Sequence, residues 1–293
     1  MRHSLLACAA WLLALPAFAQ SPPGRSMLVS ATELAALRKD PSVVVLHVAD
    51  RAAAFEEAHI PGAQFLRYGE FAVEGESGLG SELPAAAVVQ RAFEAVGVGD
   101  GSRVVIYAQS PVVAARAFFT LDAFGHGNVA LLDGGLRAWR EAKLSIETGP
   151  AKKPAAAHFT PRLDAQRVAD AAFIQQQMTA KGIALVDVRP DPEFFGTDGG
   201  MNGMHAPGHI DGARQLTWNS LVDGEGKFLS APQLKQRLEA AGVVTGRPVV
   251  SYCMVGMRAS VVYFVARQLG YDAKLYDGSI IDWSRRKLPV VTK

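Results

Sequence analysis

Cysteine is nearly absent from this chain: its 293 residues include 2. Cys8 lies in a leader-like segment, so once that segment is removed Cys253 stands alone and an internal disulfide framework is excluded. A surplus of charge is lacking too. The 30 Lys and Arg residues are balanced by 28 Asp and Glu, a net charge of +2, which leaves no electrostatic footprint for nucleic acid or an anionic membrane surface. Apolar runs of spanning length are missing: the stretch at residues 5–15 falls well short of the roughly 20 residues that cross a bilayer. With 49% hydrophobic and 20% charged residues, extended disorder is excluded, and at 293 residues two globular cores are the default.

The first residues differ in kind from the rest. Arg2 and His3 give a short positive start, residues 5–15 are apolar, and Ala17-Phe18-Ala19 before Gln20 has the small-x-small form of a signal peptidase site. Residues 1–19 are therefore expected to be a cleaved export signal, leaving a periplasmic protein with no stable membrane anchor. The alternative, an uncleaved anchor, needs a longer apolar run. A single thiol carried into an oxidising compartment is either buried and inert or kept for its chemistry, and its surroundings must decide.

An internal duplication organises the chain. His59-Ile-Pro-Gly-Ala63 recurs as His209-Ile-Asp-Gly-Ala213, Tyr107 as Tyr252, and Asp133-Gly-Gly-Leu-Arg-Ala-Trp139 as Asp277-Gly-Ser-Ile-Ile-Asp-Trp283. The order is kept and the offsets are 150, 145 and 144 residues, so the halves share a fold. Residues 27–148 and 163–293 form the two domains; between them residues 149–162, rich in Pro, Ala and Lys, read as a linker. Each half alternates short apolar runs with helical patterns. The first predicts strands at 43–48, 104–107 and 129–132 with helices at 85–96 and 114–124; the second predicts strands at 184–188, 249–252 and 273–276 with helices at 233–241 and 258–269. Strands apolar throughout and separated by helices indicate a parallel sheet covered on both faces, an α/β fold built twice.

Cys253 directly follows the strand at 249–252, and Met254-Val255-Gly256-Met257 leads into the helix near Arg258. Ligands of open parallel sheets collect where strands turn into helices, and a thiol there meets the free N–H groups and positive end of the helix, which favour a thiolate. Gly256 lets the loop curl so that successive N–H groups point inward as a nest, and Arg258 adds a full charge.

The stretch Cys253-Met-Val-Gly-Met-Arg258-Ala-Ser260 resembles the active-site loop of the rhodanese family, and Val186-Asp-Val-Arg189, His209-Ile-Asp-Gly-Ala213 and Asp277-Gly278 are similar to its other signatures. The resemblance covers the mature chain. It implies two tandem rhodanese-like domains, the first without the nucleophile, since Tyr107 is followed by Ala108 where Tyr252 is followed by Cys253. It implies a sulfurtransferase that needs no metal or organic cofactor, carrying sulfur as a persulfide on Cys253 from a small-molecule donor to cyanide or a thiol acceptor, with Met254, Val255, Gly256, Met257, Arg258 and Arg189 in the binding site. Related phosphatases and arsenate reductases separate cysteine and arginine by five residues; here there are four, a smaller ring that suits one sulfur atom.

Thiosulfate is the expected donor, because residues 195–207 carry no second arginine of the kind mercaptopyruvate enzymes tend to have; 3-mercaptopyruvate, a persulfide relay to a protein partner and a phosphatase-like hydrolase stay open as alternatives. Arg189 could instead pair with Asp187, Asp191 or Glu193. His205 and His209 have the spacing of a helical metal pair, but Pro207 and Gly208 forbid the helix. His59 could face a domain interface near Cys253, though a structural role is favoured. Asp133 and Asp277 read as turn residues capping the next helix, Ser260 as a cap of the active-site helix, and Trp139 and Trp283 as core anchors.

Overall fold

The computed structural model describes residues 26–73, 80–198, 200–201 and 204–292; residues 1–19, expected to be an export signal, lie outside the described residues. Among the described residues no helix is long and apolar enough to cross a membrane. The first half contains strands β1 (Leu28–Val29), β2 (Val43–Ala49), β3 (Gln64–Arg67), β4 (Arg103–Ala108) and β5 (Val129–Leu132), with helices α1 (Ala31–Leu37), α2 (Ala53–Glu57), α3 (Ala86–Glu94), α4 (Pro111–Ala123) and α5 (Gly135–Glu141). The second half contains β6 (Val168–Ala169), β7 (Ala184–Asp187), a small hairpin of β8 (Gly200–Met201) and β9 (Met204–His205), then β10 (Arg214–Gln215), β11 (Val249–Tyr252) and β12 (Ala273–Tyr276). Its helices are α6 (Ala171–Ala180), α7 (Asp191–Phe194), α8 (Ala231–Ala240), α9 (Ala259–Gln268) and α10 (Ser279–Arg285).

Both main sheets are five-stranded and all-parallel, ordered β1-β5-β4-β2-β3 and β10-β7-β11-β12-β6. Alternate side chains therefore enter opposite faces. In β4, Val104 and Ile106 face one cluster while Val105 and Tyr107 face another; in β11, Val249 and Val250 divide the same way. Each half keeps an outer core of its own, and the two inner faces merge into one cluster in which α4 lies against α9. Phe118 meets Phe264 edge-on at 4.9 Å, and Phe119 meets Tyr263 in the same way. Helix α4 is consequently buried on nearly every side, including Arg116 at 0% exposure.

The central strands and main helices fall where the apolar runs predict them. The edge strands β1, β3, β6 and β10, two to four residues long, show no such run and were invisible to periodicity. The linker is not loose: Phe159 is buried, its N–H donates to Glu94, and the Arg162 and Asp164 amides donate to carbonyls of Phe124 and Ala123.

Candidate active site

Strand β11 ends at Tyr252 and α9 begins at Ala259, so residues 253–258 form the connecting loop at the carboxyl edge of the second sheet. Met254 and Val255 turn their side chains into the outer core of the second half, which anchors the loop and leaves its backbone to line the site. Gly256 sits at φ +82°, a conformation that side chains resist, and a Cβ there would come within 2.7 Å of the Asp277 carbonyl and carboxylate oxygens. Among the described residues, the amides of Met254, Val255, Gly256, Met257 and Arg258 find no acceptor. Cys253, 1% exposed, stands at the start of this row of free N–H groups, which forms an anion-binding nest.

Two arginines bring positive charge to the sulfur. Arg258 is held by a bidentate pair of hydrogen bonds to Glu193, at 2.8 and 2.7 Å, which aims the guanidinium rigidly. Burial alone would lower its pKa; the Glu193 bond and the neighbouring Cys253 sulfur outweigh burial and hold it above the ordinary arginine value. Arg116 reaches in from α4 of the other half. Its Nη1 donates to Asp277 Oδ1 at 2.5 Å, while the Leu83 amide donates to Asp277 Oδ2 at 2.7 Å. Here too burial works against the charge, and Asp277 first, then Tyr68 and Cys253, overcome it. The Cys253 amide donates to Ser279 Oγ at 3.1 Å, and that hydroxyl donates to the Tyr276 carbonyl.

Several expectations need correction. Arg189 is engaged elsewhere than at a donor: its Nε and Nη2 grip Asp187, its Nη1 donates to the Ala206 carbonyl and its Nη2 also to Gly208, with Arg189 and Asp187 both at 0% exposure, so it braces the corner that follows β9. Met254 and Val255 contribute backbone rather than side chain. Asp277 does not cap α10, whose N-cap is Gly278; it receives Arg116 and Leu83 across the domain boundary. Asp133 likewise accepts the Phe228 amide of the other half. Ser260 donates to the Gly256 carbonyl and tightens the loop instead of capping the helix. His59 packs into a corner of the first half, stacked on Phe55 with Nδ1 on the Phe55 carbonyl, and not against Cys253. The side chain of His205 lies outside the described residues.

Arg116, Glu193 and Ser279 were missed, though each left a signal. Arg116 is a single cation inside the apolar run of α4, a position that demands a partner. Ser279 stands 144 residues after Gly135, whose φ of +56° marks a left-handed position; Ser279 adopts the same conformation at +52°. Glu193 had been weighed only as a partner for Arg189.

Residues 30–142 and 170–286 each match the family described as the rhodanese-like domain. A Pseudomonas aeruginosa protein bearing the provisional name 3-mercaptopyruvate sulfurtransferase is 33% identical over 285 residues, covering 91% of this chain and 98% of its own. A Mycobacterium tuberculosis protein provisionally named thiosulfate sulfurtransferase SseB is 34% identical over 272 residues, 88% of this chain and 94% of its own. The crystal structure of YnjE superposes with a TM-score of 0.81 at 26% identity, over 91% of this chain and 68% of that one.

Proposed function

The chain belongs to the rhodanese family of sulfurtransferases as a tandem pair of its domains, and on that footing we propose that Cys253 carries sulfane sulfur taken from thiosulfate. The observation that supports this most is the row of five amides without an acceptor among the described residues that directly follows the buried Cys253. Preorganised N–H donors aimed at a sulfur anion need no reorganisation when charge arrives, and Arg258 adds a fixed positive charge at the same sulfur.

The Cys253 thiolate attacks the outer sulfur of thiosulfate. A new S–S bond forms, the donor's S–S bond breaks, and sulfite leaves with the electron pair. The terminal persulfide sulfur then lies within the nest until cyanide attacks it, forming thiocyanate and returning the thiolate; a thiol acceptor takes the sulfur in the same way. A ring with four residues between Cys253 and Arg258 suits one sulfur better than a tetrahedral phosphate. The name of the Pseudomonas relative favours a second reading, in which 3-mercaptopyruvate is the donor and pyruvate the leaving product.

Intact-mass measurement tests both. Thiosulfate is expected to add one sulfur to the wild-type protein, cyanide to remove it as thiocyanate, and Cys253→Ser to abolish both. Loading by 3-mercaptopyruvate but not thiosulfate would replace the donor; loading by neither would end the persulfide reading.

A further inference from the structure

Arg116 is fully buried, yet its hydrogen bonding is incomplete. Nη1 is committed to Asp277, whereas Nε and Nη2 have no partner among the described residues. A buried guanidinium with two unmet donors is costly, and such groups persist where something else completes them. Its position says where that something sits. A Cβ at Gly256 would lie 3.2 Å from Arg116 Nη1, so the guanidinium rests against the active-site loop itself. Arg258 also keeps its Nε buried without a partner among the described residues, but each of its terminal nitrogens gives a hydrogen bond to Glu193, and Arg189 gives bonds from all three of its nitrogens at its corner. Arg116 differs from both in leaving an entire terminal nitrogen, Nη2, together with the adjacent Nε, without a partner among the described residues, which is the forked edge a ligand would take.

We infer that Arg116, supplied by the half without the nucleophile, anchors the anionic oxygen headgroup of the sulfur donor: the sulfonate end of thiosulfate or the carboxylate of 3-mercaptopyruvate. Both headgroups present coplanar or near-coplanar oxygens that match a guanidinium fork. Asp277, which also lies against Gly256, holds the guanidinium through Nη1 and offsets part of its charge, which leaves a donor free to depart after transfer. The first half is on this account a required part of the donor site. The inference rests on the sulfur-transfer reading above, so its test must separate the two.

The separation comes from measuring binding without chemistry. In a Cys253→Ser background, thiosulfate and, in a second arm, pyruvate are titrated calorimetrically into the full chain, with and without Arg116→Lys. Lysine keeps a charge for Asp277 but loses the fork, and thiosulfate affinity is expected to fall roughly ten- to a hundredfold. With Cys253 present, Arg116→Lys is expected to raise the donor KM by a similar factor, while discharge of an already loaded persulfide to cyanide stays near wild type. Asp277→Asn frees the guanidinium and is expected to tighten thiosulfate binding, a gain that partial unfolding cannot imitate. Weakening for thiosulfate alone, or for pyruvate alone, identifies which headgroup the site takes. Unchanged affinity in Arg116→Lys, equal loss of loading and discharge, or no saturable binding of either probe to the Cys253→Ser protein would overturn the inference, whether or not Cys253 carries a persulfide.

Discussion

Tyr107 and Tyr252 stand at matching positions near the carboxyl ends of β4 and β11, and each hydroxyl accepts the amide of the isoleucine in its His-Ile turn, Ile60 at 3.2 Å and Ile210 at 3.0 Å. The likeness continues outward from there. His59 stacks on Phe55 at 3.8 Å and His209 on Phe194 at 3.7 Å, each with Nδ1 on the stacked residue's carbonyl. Trp139 and Trp283 each donate to a carbonyl six residues ahead. One residue beyond the tyrosines the likeness stops. In the first half Ala108 and Gln109 lead straight to Ser110, which accepts the Val112 amide as the N-cap of α4. In the second half six residues intervene; the first, Cys253, gives its amide to Ser279 Oγ, and the other five amides find no acceptor among the described residues. Where the first half lacks that loop, an open cavity of about 610 Å³ remains, lined by His47, Tyr107, Ala108, Gln109 and Arg137 among others. The frame is therefore common property of both sheets, and what sets the halves apart at this edge is the length and capping of one turn.

A second contrast lies one strand away. His47 pairs with Tyr107 in the β2–β4 register, and Asp187 holds the same place beside Tyr252 between β7 and β11. The second half fills that place with a buried ion pair, since Arg189 joins Asp187 at 2.7 Å with both side chains at 0% exposure. The first half has only His47 and Ala49 there. The largest effect that would sharpen this comparison is Arg189→Met. It strands a buried carboxylate and two carbonyls, and is expected to destabilise the protein by about 3–5 kcal/mol in urea unfolding. The Asp187→Asn, Arg189→Met double variant should recover part of that loss. A small change in stability with a large rise in donor KM would instead return Arg189 to the donor site.

His47 makes the opposite demand. Burial, with His59 nearby as a lesser influence, lowers its pKa to about 4, and its Nδ1 is buried without a partner among the described residues. The unfolded chain binds this proton first, near pH 6.5. Stability from a neutral His47 is therefore complete above about pH 6.5 and is lost as pH falls towards about 4. His47→Phe keeps the aromatic stack on Tyr107 and removes the titration. Between pH 7 and pH 5 the wild type is expected to lose about 1–2 kcal/mol more than the variant, read from paired urea midpoints. Equal losses would mean that folded His47 takes up its proton at the same pH as the unfolded chain.

How much of this was legible in the residues follows from which forces write periodic signals. Buried strands and the helices between them must be apolar over several residues, and those runs were plain. Edge strands such as β10 hold two paired residues and write nothing. The nest was readable because a glycine between a cysteine and an arginine has few other uses. What supports the nest comes from elsewhere in the chain: Arg116 lies 137 positions before Cys253, and Glu193 lies 60 before it. No local pattern links them. The repeat was the one tool that reached so far, because aligning the halves sets Ser279 against Gly135 and poses a question that neither half raises alone.

That question yields the smallest and most pointed effect. A left-handed backbone disfavours side chains by roughly 1–2 kcal/mol, so Gly135 is the relaxed choice and Ser279 the strained one. Strain at a single residue is retained where the side chain contributes something, and the Ser279 hydroxyl accepts the Cys253 amide and fixes the backbone of Cys253. Ser279→Gly removes one hydrogen bond and one strained conformation of similar size, so the net change in stability is expected to stay within about 1 kcal/mol. Its effect should fall on the chemistry, with kcat for donor cleavage reduced several-fold as the loop loses its first fixed amide. The reciprocal change, Gly135→Ser, places a Cβ 3.0 Å from the Ala108 carbonyl in a half with no nucleophile to hold. It is expected to cost about 1–2 kcal/mol and leave kcat unchanged. If Ser279→Gly stabilised the protein at full activity, the hydroxyl would be a remnant of the repeat, and the two halves would differ at Cys253 and its loop without this added support.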